Sequence, residues 1–318
     1  MSVGIAYSSR SMLLIVNPAA ASGATLRNLA RARREFATHD LTFAEHVTSG
    51  PGDATLATRR ALGSGETRIV AVGGDGTLNE VVTGYFNLEG HAVNPEAAIG
   101  LIPSGTGSDF SRTLGFRSLH AAVAALARDR VKRLDVARIR MRDPRGVAVS
   151  RYLMNAASFG FGGDTVARVN SWRNVLPSWV NGESRFVIAA LGALKDYRHR
   201  PVRLLLDGNR ELKVMSALIV VANGRYAGSG MKLAPLAELD DGLLDLLVTD
   251  QVSRAGIVRE LTRVWDGSHL RNPRVMSLKA RSVEISAEPE MLIELDGESA
   301  GSTPAAIEVL PGSLQFIV

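Results

Sequence analysis

Val70-Ala71-Val72-Gly73-Gly74-Asp75-Gly76-Thr77-Leu78-Asn79-Glu80-Val81 runs an apolar strand into two glycines, an aspartate and a third glycine, and then into a helix. Glycine opens backbone angles closed to other residues and lets a ligand come close to the main chain. The helix that follows offers unpaired N–H groups and a partial positive charge, which suits phosphate. A carboxylate in such a loop repels bare phosphate, so Asp75 is expected beside a metal ion or a reacting hydroxyl. An ordinary Asp-Gly turn capping a helix, with Thr77 or Asp75 as the cap, accounts for the same residues. Taken alone, the stretch leaves both readings open.

It does not stand alone. Ile102-Pro103-Ser104-Gly105-Thr106-Gly107-Ser108-Asp109-Phe110 repeats the arrangement of strand end, small-residue loop and helix. Two such loops after two parallel strands would share the carboxyl edge of one sheet, where ligands bind in open α/β folds. Asn17-Pro18 and Thr48-Ser49-Gly50 also follow strands and would line the same edge. Four small polar loops on one rim favour a nucleotide site. The chain has no Gly-x-x-x-x-Gly-Lys-Ser/Thr, which excludes a P-loop enzyme, and no Gly-x-Gly-x-x-Gly opens its first helix, which weakens a nicotinamide-cofactor reading.

Outward from these loops, short apolar runs alternate with helical spacing. Met12–Val16, Leu41–Val47, Arg68–Val72 and Ala98–Ile102 read as strands; Leu26–Phe36, Asp53–Leu62, Leu78–Phe86 and Leu119–Ala127 read as helices. That alternation predicts an α/β domain with a mainly parallel sheet and helices on both faces. Beyond about Val131 the texture becomes β-rich. Val136–Met141, Val147–Ala157, Val202–Leu206, Lys213–Ala222, Leu243–Val248, Arg281–Ser286 and Met291–Leu295 read as strands, with a hairpin signal at Asp207-Gly208-Asn209. Helices are expected at Thr165–Arg173, Ser184–Tyr197 and Arg254–Val264, within a sandwich or barrel. The expected division is a nucleotide-binding domain over 1–134, with about 303–318 packing back on it, and a β-rich substrate domain over 135–302.

The bulk numbers are those of an ordinary globular protein. Hydrophobic residues make up 46% and charged residues 22% of 318, and no apolar run approaches the ~18–20 residues of a membrane-spanning helix. Cysteine is absent, which excludes disulfides, thiolate metal sites and cysteine catalysis. Met1–Arg10 lacks the basic start and apolar stretch of a signal peptide, so a cytoplasmic location is expected. A formal charge of +5 favours anionic partners, but the charges are scattered, so phosphates and acidic lipid surfaces rank above nucleic acid. The six histidines are dispersed and suggest no zinc site.

The ordered set of motifs resembles the diacylglycerol kinase catalytic-domain superfamily, which includes bacterial lipid kinases, sphingosine kinases and ceramide kinases. The likeness runs from Val16-Asn17-Pro18 through Gly73–Val81, Pro103–Arg112 and Phe159-Gly160-Phe161-Gly162. It continues in Asn223-Gly224, Gly228-Ser229-Gly230, Ala234-Pro235, Asp240–Leu244 and Asp296-Gly297-Glu298. Gly-Gly-Asp-Gly alone also occurs in NAD kinases and phosphofructokinases. The family usually carries Ala-Asn-Asp where this chain has Gly107-Ser108-Asp109, and serine reaches less far than asparagine.

The resemblance implies a set of roles. Asn17, Thr48, Gly73, Gly74, Asp75, Gly76, Thr77, Leu78, Asn79, Glu80, Ser104, Gly105 and Thr106 would form the ATP site, with Asp75 at the point of phosphoryl transfer. Glu298 matches the proton acceptor from the lipid hydroxyl and would be brought to face the glycine loop. Glu238, Asp241 and Leu243 match a metal-holding loop, the first and last through carbonyls; Mg²⁺ is expected, with Ca²⁺ the alternative at that structural site. Asp164 and Asp109 are carried over as substrate-side residues. Asp296-Gly297, read from its residues only, is a hairpin turn. The implied activity is transfer of the γ-phosphate of MgATP to a lipid hydroxyl, foremost diacylglycerol. The alternatives are a sphingoid lipid, phosphatidylglycerol or NAD as acceptor, or a catalytically silent lipid-binding regulator. The enzyme would meet its lipid at a membrane surface, peripherally and transiently; Trp172 and Trp179 with Arg168 and Arg173 form one candidate contact, and two half-buried tryptophans the competing one. A homodimer is compatible with this reading. Glycines 160, 162 and 163 are expected where the chain opens to admit an acyl chain.

Overall fold

The computed structural model describes residues 11–20, 24–104, 108–116, 118–171, 182–195 and 197–318. The chain divides into two compact units: the described residues up to Leu134 together with Ser313–Val318, and Asp135–Gly312.

In the first unit, β1 (Ser11–Val16), α1 (Ala24–Thr38), β2 (Thr42–Val47), α2 (Asp53–Gly63), β3 (Arg68–Gly73), α3 (Asp75–Tyr85), β4 (Ala98–Pro103), α4 (Asp109–Leu114) and α5 (Leu119–Arg128) follow in order. The strands lie β2-β1-β3-β4, all parallel, with Leu13 opposite Ile69 and Arg68 opposite Ala98. The end of the chain adds a further parallel partner through Phe316 opposite Ile99. Leu14, Ile15, Val16, Ile69, Val70, Ala71 and Val72 are all shut off from solvent. Residues pointing to both sides of the sheet are therefore buried, as the continuous apolar runs require. One face packs on Leu29, Ala32 and Phe36 of α1 and Val123 and Leu126 of α5, while Arg31, Arg33 and Arg34 stay outside. α2 and α3 pack against each other.

The second unit contains most of β5 (Val131–Arg142), then β6 (Ala148–Leu153), β7 (Ala156–Gly160), α6 (Phe161–Ser171), α7 (Gly182–Ala193), β8 (Arg200–Leu206), β9 (Arg210–Ser216), β10 (Leu218–Ala222), β11 (Leu244–Thr249), α8 (Arg254–Arg263), β12 (Val275–Ala280), β13 (Ser282–Ala287), β14 (Leu292–Leu295) and β15 (Glu298–Ile317). β15 carries the chain back into the first unit. The strand order β12-β11-β10-β7-β14-β15 and the branch β9-β8-β13-β15 pair antiparallel. The inward residues of these strands and of β5, among them Ile139, Phe159, Leu204, Val221, Leu246, Ile285, Ile293 and Ile307, form one core. The α/β-then-β architecture is the one the strand and helix patterning predicts.

Three local differences bear on the site. α3 begins at Asp75, so Asp75, Gly76 and Thr77 form the first helical turn and only Gly74 separates it from β3. The run Val147–Ala157 breaks at Met154-Asn155, because the N–H groups of Met154, Asn155 and Ala156 all donate to the Asp296 carboxylate. The run Lys213–Ala222 breaks at Ala217, whose carbonyl accepts from the N–H of Phe161 at the start of α6.

Candidate active site

Parallel order puts the ends of β1, β2, β3 and β4 side by side, so Asn17, Thr48, Gly73-Gly74 and Ser104 share one rim of the first unit. The rim is stitched to itself. The Asn17 amide donates to Thr77 Oγ1 (3.1 Å), the Thr48 N–H to the Val16 carbonyl (2.8 Å) and the Ser104 N–H to the Gly73 carbonyl (2.9 Å). Ser104 Oγ donates to Thr25 Oγ1 (3.2 Å). Thr77 folds back over Gly73 so closely that any Cβ there would collide with its side chain, which is why the position takes glycine. Gly74 caps α3 in an extended conformation and no side chain caps that helix, so its first-turn N–H groups lack a side-chain acceptor, with Gly76 exposed among them. Leu78 and Asn79 are buried behind them. Glu80 turns away, accepting from the Gly52 N–H (3.0 Å) at the start of α2. Gly105 and Thr106 lie outside the described residues.

Asp75 has partners that sequence reasoning did not foresee. Its two oxygens accept the N–H groups of Asp109 (2.8 Å) and Phe110 (3.0 Å), the first two residues of α4. The carboxylate thus ties the first glycine turn to the helix after the second loop, where it also complements the helix end electrostatically. These two bonds give the carboxylate a structural role in addition to any at the point of transfer. Asp109 is itself buried.

In the second unit, Asp296 and Gly297 both have positive φ (46° and 92°), the signature of a two-residue hairpin turn. Glu298 is therefore the first residue of β15, opposite Leu295. Its side chain is 61% exposed and pairs with Arg151 of β6 at 2.9 Å. The Asp296 carboxylate fixes the turn through the three N–H groups named above, and Glu294 accepts from the Gly297 N–H (2.5 Å) and the Ser158 hydroxyl.

Beside this turn lies a cavity of about 300 Å³ whose wall is mainly apolar, lined by Phe161, Val166, Leu218, Val220, Met231 and Ile257 among others. Ser158, Glu294 and Gly297 are among its few polar or turn-bearing walls. Gly162 and Gly163, expected as points of opening, instead let α6 lie tight against its neighbours: a Cβ would strike Ser158 at one and the Leu292 carbonyl at the other. Asp164 stands in the first turn of α6, partly exposed. The Trp172–Trp179 segment lies outside the described residues.

Around the Asp240-Asp241-Gly242 turn, Asp241 Oδ1 accepts the Leu243 N–H (3.0 Å) and Oδ2 takes the Lys279 ammonium at 2.6 Å. Glu238 is exposed, and among the described residues no group of three acidic or histidine side chains is placed to hold a metal. Asp135 is buried and accepts the N–H groups of Gly242 and Gly312 (both 2.7 Å). Burial pushes its carboxyl upward and those two donors resist. Burial likewise pushes the Asp245 carboxyl up, with Lys279 opposing.

Arg151, Glu294, Lys279 and the cavity, together with the three N–H groups that Asp296 accepts, escaped the sequence. Each works through a partner far along the chain, and no motif announces such a pairing.

An α/β unit with a glycine-turned rim, followed by a β-rich unit holding an apolar cavity beside an acidic turn, defines a two-part architecture with known relatives. Residues 11–139 match the model "Diacylglycerol kinase catalytic domain", and residues 156–318 match "YegS C-terminal NAD kinase beta sandwich-like domain". A diacylglycerol kinase of Mycobacterium tuberculosis is 27% identical over 305 residues, covering 95% of this chain and 93% of its own. A "Probable lipid kinase YegS-like" of Chromohalobacter salexigens is 30% identical, covering 95% and 91%. A crystal structure of a diacylglycerol kinase from Bacillus anthracis superposes with a TM-score of 0.70 at 25% identity, covering 98% of each chain. The chain belongs to the diacylglycerol kinase catalytic-domain family, with the YegS-type C-terminal domain, and is a lipid-kinase-like enzyme.

Proposed function

We propose that this chain transfers the γ-phosphate of ATP to the hydroxyl of a lipid, diacylglycerol first, giving phosphatidic acid. The observation that carries the lipid acceptor is the apolar cavity of the second unit, walled at one place by Gly297, the residue before Glu298. A soluble sugar or nucleotide acceptor would leave that apolar wall without use.

Phosphoryl transfer asks the protein mainly to position reactants and to stabilise charge spread over phosphate oxygens. The uncapped N–H groups of α3, the Gly73-Gly74 turn and the Asn17–Thr77 pair are the phosphate-binding elements, while Thr48 and the loop bearing Ser104, Gly105 and Thr106 complete the nucleotide site. Asp75 is a positioning residue that keeps α4 and the second loop in register with the first, and Asp109 and Asp164 are assigned to the substrate side. These donors fit phosphate, and no described acidic cluster competes with it; Mg²⁺, arriving with ATP, would neutralise the phosphate charge. Glu298 takes the proton of the lipid hydroxyl as its oxygen bonds to the γ-phosphorus and the bond to the β-phosphate oxygen breaks, releasing ADP. To do so its carboxylate exchanges Arg151 for the hydroxyl. No described helix is long and apolar enough to cross a membrane. The lipid would accordingly be met at a bilayer surface by peripheral contact.

The test is purified full-length protein with labelled ATP and mixed micelles of diacylglycerol, sphingoid base, ceramide or phosphatidylglycerol, and with NAD in solution. Labelled phosphatidic acid is the expected product. Phosphorylation of NAD alone refutes the lipid assignment, and no product from any acceptor favours a silent lipid-binding protein.

A further inference from the structure

The resemblance assigns a structural divalent ion to the loop carrying Glu238, Asp241 and Leu243. The residues as they stand do not fit one, because both Asp241 oxygens are already engaged, one by a backbone N–H and the other by Lys279. The lysine is not there by accident of surface charge. Lys279 on β12 is the cross-strand partner of Asp245 on β11, in register in the antiparallel pair. Its ammonium lies 2.6 Å from Asp241 Oδ2 and 3.5 Å from Asp245 Oδ2. Asp245 is the residue in need: its side chain is only 6% exposed, and among the described residues its ion-pair partner is Lys279. A buried carboxylate without a counter-charge is costly, and a protein must supply a cation or give up the charge. The other acids of the neighbourhood are met differently. Asp135 has the Gly242 and Gly312 N–H groups, and Glu238 and Asp240 face solvent.

We infer that the Lys279 ammonium is a built-in cation doing here the charge compensation assigned to a divalent ion, so that the second unit holds its Asp240–Asp245 turn without metal. This does not depend on the kinase reading, since it concerns only the folding of the second unit. A lysine delivers one charge on a tether and never dissociates, which removes any dependence of that turn on metal supply.

Melting of the full chain, free of nucleotide, tests it in EDTA, in MgCl2 and in CaCl2. Wild type is expected to melt at one temperature in all three. K279Q is expected to melt ~5 °C lower in EDTA and to regain stability in millimolar Mg²⁺ or Ca²⁺, whereas K279R stays indifferent to metal. The K279Q/D245N pair, lacking both the buried charge and its partner, is expected to fold and to ignore metal, and this arm stands in if K279Q itself does not accumulate. Any of four results overturns the inference: wild type that loses stability in EDTA and regains it with metal, K279Q that melts like wild type in EDTA, K279Q that no divalent cation restores, or a double variant that does not fold.

Discussion

Replacing Asp75 with asparagine is the substitution that separates positioning from direct chemistry. In the wild type the carboxylate accepts two backbone N–H groups, from Asp109 at 2.8 Å and Phe110 at 3.0 Å. Asparagine keeps one acceptor oxygen and turns an NH2 group toward the other N–H, so one bond is lost and two donors face each other. A hydrogen bond to a charged group contributes about 1.5–3 kcal/mol, and Asp75 is partly exposed, so the loss is placed at ~2 kcal/mol. For a unit of this size that is a fall of roughly 5 °C in melting temperature. Because the lost tie frees the start of α4 beside the rim, KM for ATP should rise as kcat falls. Urea unfolding, thermal melting and ATP-saturation kinetics on the full chain read all three. A D75N protein that melts with wild type, keeps its KM for ATP and loses only turnover would refute the positioning role and place the carboxylate among the reacting atoms.

Glu298→Gln should lower lipid phosphorylation by about 10²–10⁴-fold while leaving melting and ATP binding unchanged, since the side chain is 61% exposed; near-wild-type turnover would remove it as the base. Ala227→Phe, which grows a ring from the cavity wall, should slow phosphorylation of long-chain acceptors more than short-chain ones, and equal slowing of both would detach the cavity from acyl binding. Burial lowers the pKa of His269, against the opposing pull of the Leu233 and Arg263 carbonyls and of Glu260. Below the ordinary value of about 6.5 the unfolded chain therefore binds a proton that the native histidine declines. Stability should be full above that pH and fall as acid takes it lower, and His269→Gln should flatten the slope of melting temperature against pH; identical slopes would contradict this.

Much of this molecule is written in local patterns. Continuous apolar runs at Leu14–Val16 and Ile69–Val72 require a sheet buried on both faces, and the spacing of Leu29, Ala32 and Phe36 requires a helix laid on it. Glycine at 73 and 74 marks the rim, and Asp-Gly at 296-297 marks the turn that presents Glu298. Periodicity and turn chemistry act over a few residues, so a linear reading suffices for them. β15 defeated that reading because Gly301, Pro304, Pro311 and Gly312 break its pattern, and only its pairing with β14 and β13 makes it a strand.

The charges are another matter. Arg151 meets Glu298 across 147 residues, the N–H groups of Asp109 and Phe110 meet Asp75 across 34 and 35, and Lys279 meets Asp241 across 38. Charged side chains carry no period and pair with whatever the packed backbone brings within about 3 Å. Which acid ties down a helix start, which pairs with an arginine and which is neutralised by a lysine was therefore settled by the assembled strands, not by the order of the residues along the chain.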